Sequence, residues 1–99
     1  MTAINTGAVA GWNYLNIAAQ ATTVVKSTPG ILHTIVFNKP VATSVITVYD
    51  NTAASGTKIG TITVPASPMP VTLTYDASFN TALTVVMGTA DCDITVNYI

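Results

Sequence analysis

Short stretches of alternating hydrophobic and polar residues run through most of the chain, with turn-forming residues between them at intervals of roughly 8–12 residues. The clearest stretch is residues 71–76, in which Val, Leu and Tyr alternate with Thr, Thr and Asp. A period of two places successive side chains on opposite faces of a strand. The pattern therefore predicts an all-β protein of seven to eight strands without helices, folded as an antiparallel β-sandwich of the Ig-like or jelly-roll-like kind.

The alternation also predicts which side chains face the core. The first run after the N-terminal segment is interrupted near residues 18–21, so it is expected to form two short strands or one bent strand. Phe79 is expected to close one end of the core from a connection at residues 77–80. The predicted inward set of the later runs is Ile46, Val48, Leu83, Val85, Met87, Cys92, Ile94 and Val96. Cys92, the only cysteine, is accordingly predicted to be a small buried residue.

Two neighbouring runs, residues 31–38 and 42–50, also carry apolar side chains on the face that alternation turns outward. This outer set is Leu32, Val36, Val45 and Tyr49. If the two runs pair as strands, these side chains form one apolar and aromatic patch. Such a patch on a domain of low charge indicates a subunit interface.

Residues 1–13 lack strand alternation and are predicted to form an N-terminal arm, followed by a single β-sandwich domain at residues 14–99. The arm is rich in Ala, Gly, Thr and Asn, and Trp12, the only tryptophan, lies near its end. Either the arm folds back onto its own sandwich, where Trp12 closes one end of the core, or it docks on a neighbouring subunit or the capsid with Trp12 as an anchor. Trp12 and Tyr14 are therefore added to the predicted interface residues.

The chain is unusually poor in charge. It has three Lys, four Asp and neither Arg nor Glu, so charged residues make up 7% of the sequence, against roughly 25% in an average soluble protein. Nucleic-acid binding is not expected because the Lys residues are scattered, and no apolar run is long enough to span a bilayer. So few ionised groups protect a surface poorly against association, which favours a subunit that packs against neighbours.

Candidate catalytic and metal-binding residues are few. His33 is the only histidine, and alternation groups it with Ile35 and Phe37, so we predict a hydrogen-bonded structural histidine in or near the core. The four Asp residues lack the spacing of a calcium-binding loop, and Asp76 and Asp91 are expected at strand ends, where they accept backbone N–H bonds. The sequence predicts no enzyme, metal site, cofactor or small-molecule substrate.

Several turn and strand motifs resemble those of a small virion protein of tailed bacteriophages. They are Leu32-His33, the strand end at residues 46–51, the loop at residues 52–59, Tyr75-Asp76 and Ile94-Thr-Val96. The resemblance covers roughly residues 14–99. It implies a β-sandwich that decorates or cements a capsid, often as a trimer.

The resulting hypothesis is a structural virion protein, a capsid cement or decoration subunit that binds the major capsid protein and itself as a homotrimer. The start of the chain lacks the basic and continuous apolar segments of a signal peptide, so synthesis in the host cytoplasm and a final place on the capsid surface are expected. One alternative is a tail or head-fibre component. Another is a carbohydrate-binding module for host-surface glycan, with Trp12, Tyr14 and Tyr49 as a stacking platform.

Overall fold

The computed structural model describes residues 11–99, and most of the predicted arm, residues 1–10, lies outside the described range. Residues 11–99 form eight antiparallel strands in two sheets of four, without a helix. The strands are β1 (Asn13–Ile17), β2 (Ala21–Lys26), β3 (Gly30–Lys39), β4 (Val45–Asp50), β5 (Thr57–Thr63), β6 (Val71–Phe79), β7 (Leu83–Gly88) and β8 (Asp93–Tyr98). The prediction of an all-β, sandwich-like architecture is confirmed.

In the described part of the chain there is no helix long and apolar enough to cross a membrane. The strand bounds follow the sequence pattern closely. The interruption near residues 18–21 separates β1 from β2, as one of the two readings of that run expected. The main difference is at β6, which continues past Asp76 to Phe79, so Phe79 ends a strand and does not belong to a connection.

The strands pair in an order that does not follow their order along the chain. The first sheet has the order β1-β8-β3-β6, and the second has the order β2-β7-β4-β5. Among the connections between described strands, the loop at residues 51–56 joins two paired strands, and each of the others crosses between the sheets. The pairing of β3 with β4, on which the predicted apolar patch depended, does not occur, because these strands lie in different sheets.

The core lies between the two sheets. The predicted inward side chains Ile46, Val48, Leu83, Val85, Met87, Cys92, Ile94 and Val96 are all buried in it. Phe37 and Phe79 are its largest members, and each is almost fully buried. The buried Ser44 hydroxyl shares its one proton between the carbonyl oxygens of Gly88 and Ala90, at 3.2 Å and 2.9 Å, so its burial leaves no unpaired donor. The prediction of a buried Cys92 is confirmed.

Strand β3 departs from regular alternation at His33. Its register with β6 shifts there, because Leu32 pairs with Ala77 whereas Thr34 pairs with Thr74. The register with β8 shifts at the same place. One residue of β3 therefore lies opposite two residues of β6, and both strands bulge at this point.

The bulge reverses the faces that alternation predicts. Leu32 and Ile35, three positions apart, both point into the core and are fully buried. Ile31 is two positions before His33, so alternation groups it with Ile35 and Phe37 on the inner side, but it is 39% exposed. The prediction of Leu32 as an outward interface residue is wrong, since the extra residue at the bulge turns the preceding part of the strand over.

Candidate functional site

The bulges of β3 and β6 bring together the only histidine and one of the aspartates. His33 Nδ1 donates a hydrogen bond to Asp76 Oδ1 at 2.5 Å. Both side chains reach solvent, with the Asp76 carboxyl more than half exposed. Asp76 has a φ of 47°, in the left-handed region that Asp tolerates better than most residues. This strained position aims its carboxyl at the imidazole.

The prediction for His33 is confirmed in one respect and wrong in another. The ring is hydrogen-bonded, as expected, but it faces the outer surface of the first sheet and does not share a face with Ile35 and Phe37. Asp76 is likewise not at a strand end but inside β6. The sequence carries one signal of the bulge that turns His33 outward. In β3, apolar residues occupy both of the faces that regular alternation defines.

Trp12 stacks on His33. The two ring centroids are 4.2 Å apart and the ring planes differ by 11°. Trp12 is nevertheless 45% exposed, so the imidazole covers one face of the indole and leaves much of the rest open. Trp12 lies on the outside of the first sheet of its own chain and does not close one end of the core. The rest of the predicted arm lies outside the described residues, so its docking stays a prediction. We call Trp12, His33 and Asp76 the Trp12 cluster.

A row of polar side chains crosses the first sheet beside the Trp12 cluster. The register places Tyr14 of β1 next to Asn97 of β8, then Thr34 of β3 and Thr74 of β6. Asn97 Nδ2 donates to Thr34 Oγ1 at 2.8 Å, which links the two central strands. Tyr14 is 73% exposed. The outer face of this sheet is therefore built from an aromatic ring, an amide and hydroxyls, without a charged group in the row.

The next polar side chains along this face surround Asp93. Its Oδ1 accepts hydrogen bonds from Asn16 Nδ2 at 2.7 Å and Asn38 Nδ2 at 3.0 Å. The Asn16 bond and then the Asn38 bond hold the pKa of the Asp93 carboxyl below its ordinary value. These contacts tie β1, β8 and β3 together, so we assign Asp93 a structural role.

Two other carboxylates bind backbone N–H groups of turns. Asp50 accepts bonds from Asn80, Thr81 and Ala82, and the first two of these bonds are the main causes of its lowered pKa. Asp91 accepts one from the backbone of Gln20, which confirms the role predicted for it. Within residues 11–99 no three His, Cys or Asp side chains lie close enough to hold a metal ion.

The structure separates the residues of the predicted apolar patch. Leu32 lies in the core, and Val36 is half-buried on the first sheet. Val45 and Tyr49 are half-buried on the second sheet. The single patch does not form, because β3 and β4 do not pair. The three-aromatic platform does not form either, since Tyr49 belongs to the other sheet from Tyr14.

The edges of the two sheets differ in how they are protected. Both edge strands of the second sheet carry a lysine, Lys26 on β2 and Lys58 on β5, and both have a register shift along their pairing. In the first sheet, β1 has no charged residue and a regular register. The other edge, β6, is nine residues long, and its segment at residues 71–75 is uncharged and pairs regularly with β3 from Thr74 to Val71.

An apolar groove of about 410 Å³ opens next to the β6 edge. It is lined by Ile62, Pro65, Pro68, Met69, Val71 and Leu73, among others. Met69 is 76% exposed and Val71 is 48% exposed at this place. The Pro-rich segment between β5 and β6 forms one wall, because its three prolines prevent regular strand pairing there.

The outer face of the first sheet and its two edges are thus the candidate functional surfaces. Comparisons with protein-family models, curated proteins and solved structures found no match to this chain.

Proposed function

We propose that this chain is a structural virion protein, a capsid cement or decoration subunit that acts as a homotrimer. The observation that carries the proposal is the difference between the sheet edges. An edge strand presents unpaired backbone N–H and C=O groups, and proteins protect such edges with lysines and bulges. The second sheet has both devices on both edges and β1 has neither, whereas β6 has its bulge and its one charged residue, Asp76, only beyond the regular segment at residues 71–75. Edges of this kind are suited to pairing with another chain.

We infer that the occupant of the β6 edge is the β1 edge of a second copy. Three antiparallel steps separate β1 from β6 in the first sheet, so these two strands run in opposite directions. When copies are related by rotation about an axis parallel to the strands, equivalent strands of all copies run in the same direction. Strand β6 of one copy then meets β1 of the next in antiparallel orientation, and this head-to-tail contact closes into a ring.

The surface beside β6 supports the same proposal. The apolar groove with the exposed Met69 and Val71 extends the edge, so a neighbouring copy covers apolar area as well as backbone groups. The chain has three Lys and four Asp in total, so few like charges oppose close packing of identical copies. Burial of this groove is expected to contribute to the free energy of association at roughly 25 cal/mol per Å² of apolar area, before ordering costs.

The strand order supports a jelly-roll type of sandwich. The pairs β1·β8, β2·β7, β3·β6 and β4·β5 are those of one long two-stranded ribbon with its tip at the β4–β5 loop, rolled up into two sheets. Jelly rolls are common in viral capsid and lectin domains. A fold alone does not determine function, so this agreement supports the proposal only together with the edges and the sequence resemblance to phage virion proteins. The proposed arm, residues 1–13, leads into this roll, and its last residue, Asn13, is the first residue of β1.

Purified virions provide the test. The chain is expected in heads separated from tails, at a constant ratio to the major capsid protein across preparations, as measured by quantitative mass spectrometry. A high-salt wash should leave this ratio unchanged, because a nearly uncharged surface holds its partner by apolar contacts that salt does not screen. Recovery on tails alone would support the fibre alternative, and absence from washed particles would contradict the virion proposal.

A further inference from the structure

We propose that the outer face of the first sheet binds a neutral oligosaccharide, with Trp12 and Tyr14 as the aromatic rings that stack on sugar rings. Tyr14 belongs to β1 and Trp12 directly precedes that strand, so the site lies on the strand proposed to pair with β6 of the next copy. The two aromatic side chains stand on the sheet face, whereas the proposed contact uses the backbone edge of the strand. The site differs from the platform expected from the sequence, because Tyr49 is absent from it and the Trp12 cluster is part of it.

The Trp12 cluster holds the indole ready for a ligand. His33 lies parallel to it at 4.2 Å, and Asp76 fixes the imidazole through Nδ1. The strained φ of Asp76 and the bulges of two strands are needed to build this support, and such strain is found most often at functional sites. A ring fixed before binding loses little entropy when it binds, so its exposed surface is a preorganised platform.

The second ring lies close to the first. Trp12 precedes Tyr14 by two residues, so their Cα atoms are about 7 Å apart in an extended chain. They are the most exposed aromatics of the described residues, while Phe37 and Phe79 fill the core. Exposed Trp and Tyr combine an apolar ring with a polar group, which suits a ligand whose rings have apolar faces and hydroxyl edges.

The groups around these rings indicate a neutral ligand. Asn97 and Thr74 continue the row that begins at Tyr14, and amides and hydroxyls both donate and accept hydrogen bonds. Thr34, between them, is buried, and its hydroxyl accepts a hydrogen bond from Asn97. The row contains no lysine, so it offers no cation to a phosphate, sulfate or carboxylate. Sugar hydroxyls are the ligand groups that match an array of this kind.

The single tryptophan makes the site directly observable. Titration with cellohexaose, maltohexaose, laminarihexaose and chitohexaose should give a saturable change in Trp12 emission with at least one of them, with a Kd of about 1 mM or tighter. Calorimetry should show that Trp12→Ala and Tyr14→Ala bind the hexasaccharide about tenfold or more weakly than the unchanged chain does. Tyr49→Ala, the matched aromatic control on the second sheet, should bind it as the unchanged chain does. Asp76→Asn should weaken binding by a smaller factor, since Asp76 positions His33.

Circular dichroism identifies any variant that fails to fold. The two surface variants Trp12→Ala and Tyr14→Ala each test the sugar site separately, so one remains informative if the other does not fold. The proposal is overturned if none of the four hexasaccharides changes the emission up to about 10 mM. It is also overturned if Trp12→Ala binds as well as the unchanged chain, or if binding is confined to a sulfated heparin hexasaccharide. Loss of the trimer without loss of sugar binding would contradict the assembly proposal alone.

Discussion

Asp50 shows how one carboxylate stabilises a connection between the two sheets. It ends β4 in the second sheet, and its two oxygens accept hydrogen bonds from the backbone N–H groups of residues 80–82, between β6 and β7. Because these bonds favour the charged carboxylate, the pKa of Asp50 is lower in the folded protein than in the unfolded chain. The folded state therefore gains stability from the ionised form.

This lowered pKa predicts the direction of the pH dependence. The contribution of Asp50 is fully present above the unfolded pKa of about 3.9 and is lost as the pH falls through the folded pKa. Thermal melts should show that Asp50→Asn unfolds at a lower temperature than the unchanged chain at pH 7, and that the difference narrows as the pH falls below about 4. Asp91 accepts only one such bond, so Asp91→Asn, which removes its charge, is the control with a smaller effect. A difference that stays constant down to acid pH would refute this role.

The bulge at His33 makes opposite predictions for two adjacent residues. Leu32 is fully buried, so Leu32→Ala should lower the free energy of unfolding by about 2–5 kcal/mol. Ile31 is 39% exposed, so Ile31→Ala should lower it by less than about 1 kcal/mol. Urea unfolding of the two variants distinguishes the observed strand from a regular one, in which Ile31 would be the more sensitive position.

At the scale of elements, the start of β3 and the end of β8 are joined through Gly30 and its neighbours. Ile31 and Ile99 exchange backbone hydrogen bonds of 2.9 Å and 3.0 Å. A Cβ on Gly30 would overlap the carbonyl oxygen of Ile99, so only glycine fits there without a backbone shift. The close approach extends the contact between the two central strands of the first sheet.

Gly30→Ala should therefore destabilise the fold by about 1–3 kcal/mol, as overpacked sites do. Gly88→Ala is a matched control within a strand, because a Cβ there would meet open space, and its effect should stay within about 0.5 kcal/mol. Both values follow from denaturant unfolding curves. Equal effects of the two substitutions would show that the overlap at Gly30 is relieved at no cost.

The sequence predicts strands better than it predicts their partners. Alternation is a local property, so β4, β7 and β8 and their inward side chains follow from it directly. Pairing depends on connections that cross between the sheets, and no local pattern distinguishes such a crossing from a hairpin of similar length. A bulge depends on both paired strands, which is why the site formed by His33 and Asp76 could not be predicted from β3 alone.

At the scale of the whole molecule, the rolled ribbon joins distant parts of the chain. Strand β1 pairs with β8, the last strand, over residues 13–17 and 94–98. Contacts between residues far apart in sequence slow folding, because the chain loses entropy before they form. Refolding is therefore expected in milliseconds to seconds, and stopped-flow fluorescence of Trp12 can measure it. Refolding in microseconds would contradict the observed topology.

In the proposed trimer the β6 edge of one copy contacts the next copy. Light scattering coupled to size-exclusion chromatography, at micromolar concentration, measures the mass of the assembly directly. The unchanged chain and Val24→Lys are expected as trimers, because Val24 is similarly exposed but lies on the protected β2 edge. Val71→Lys is expected as a monomer, since it places a charge at the β6 edge and its groove. A monomeric unchanged chain, or equal dissociation of the two lysine variants, would contradict the account.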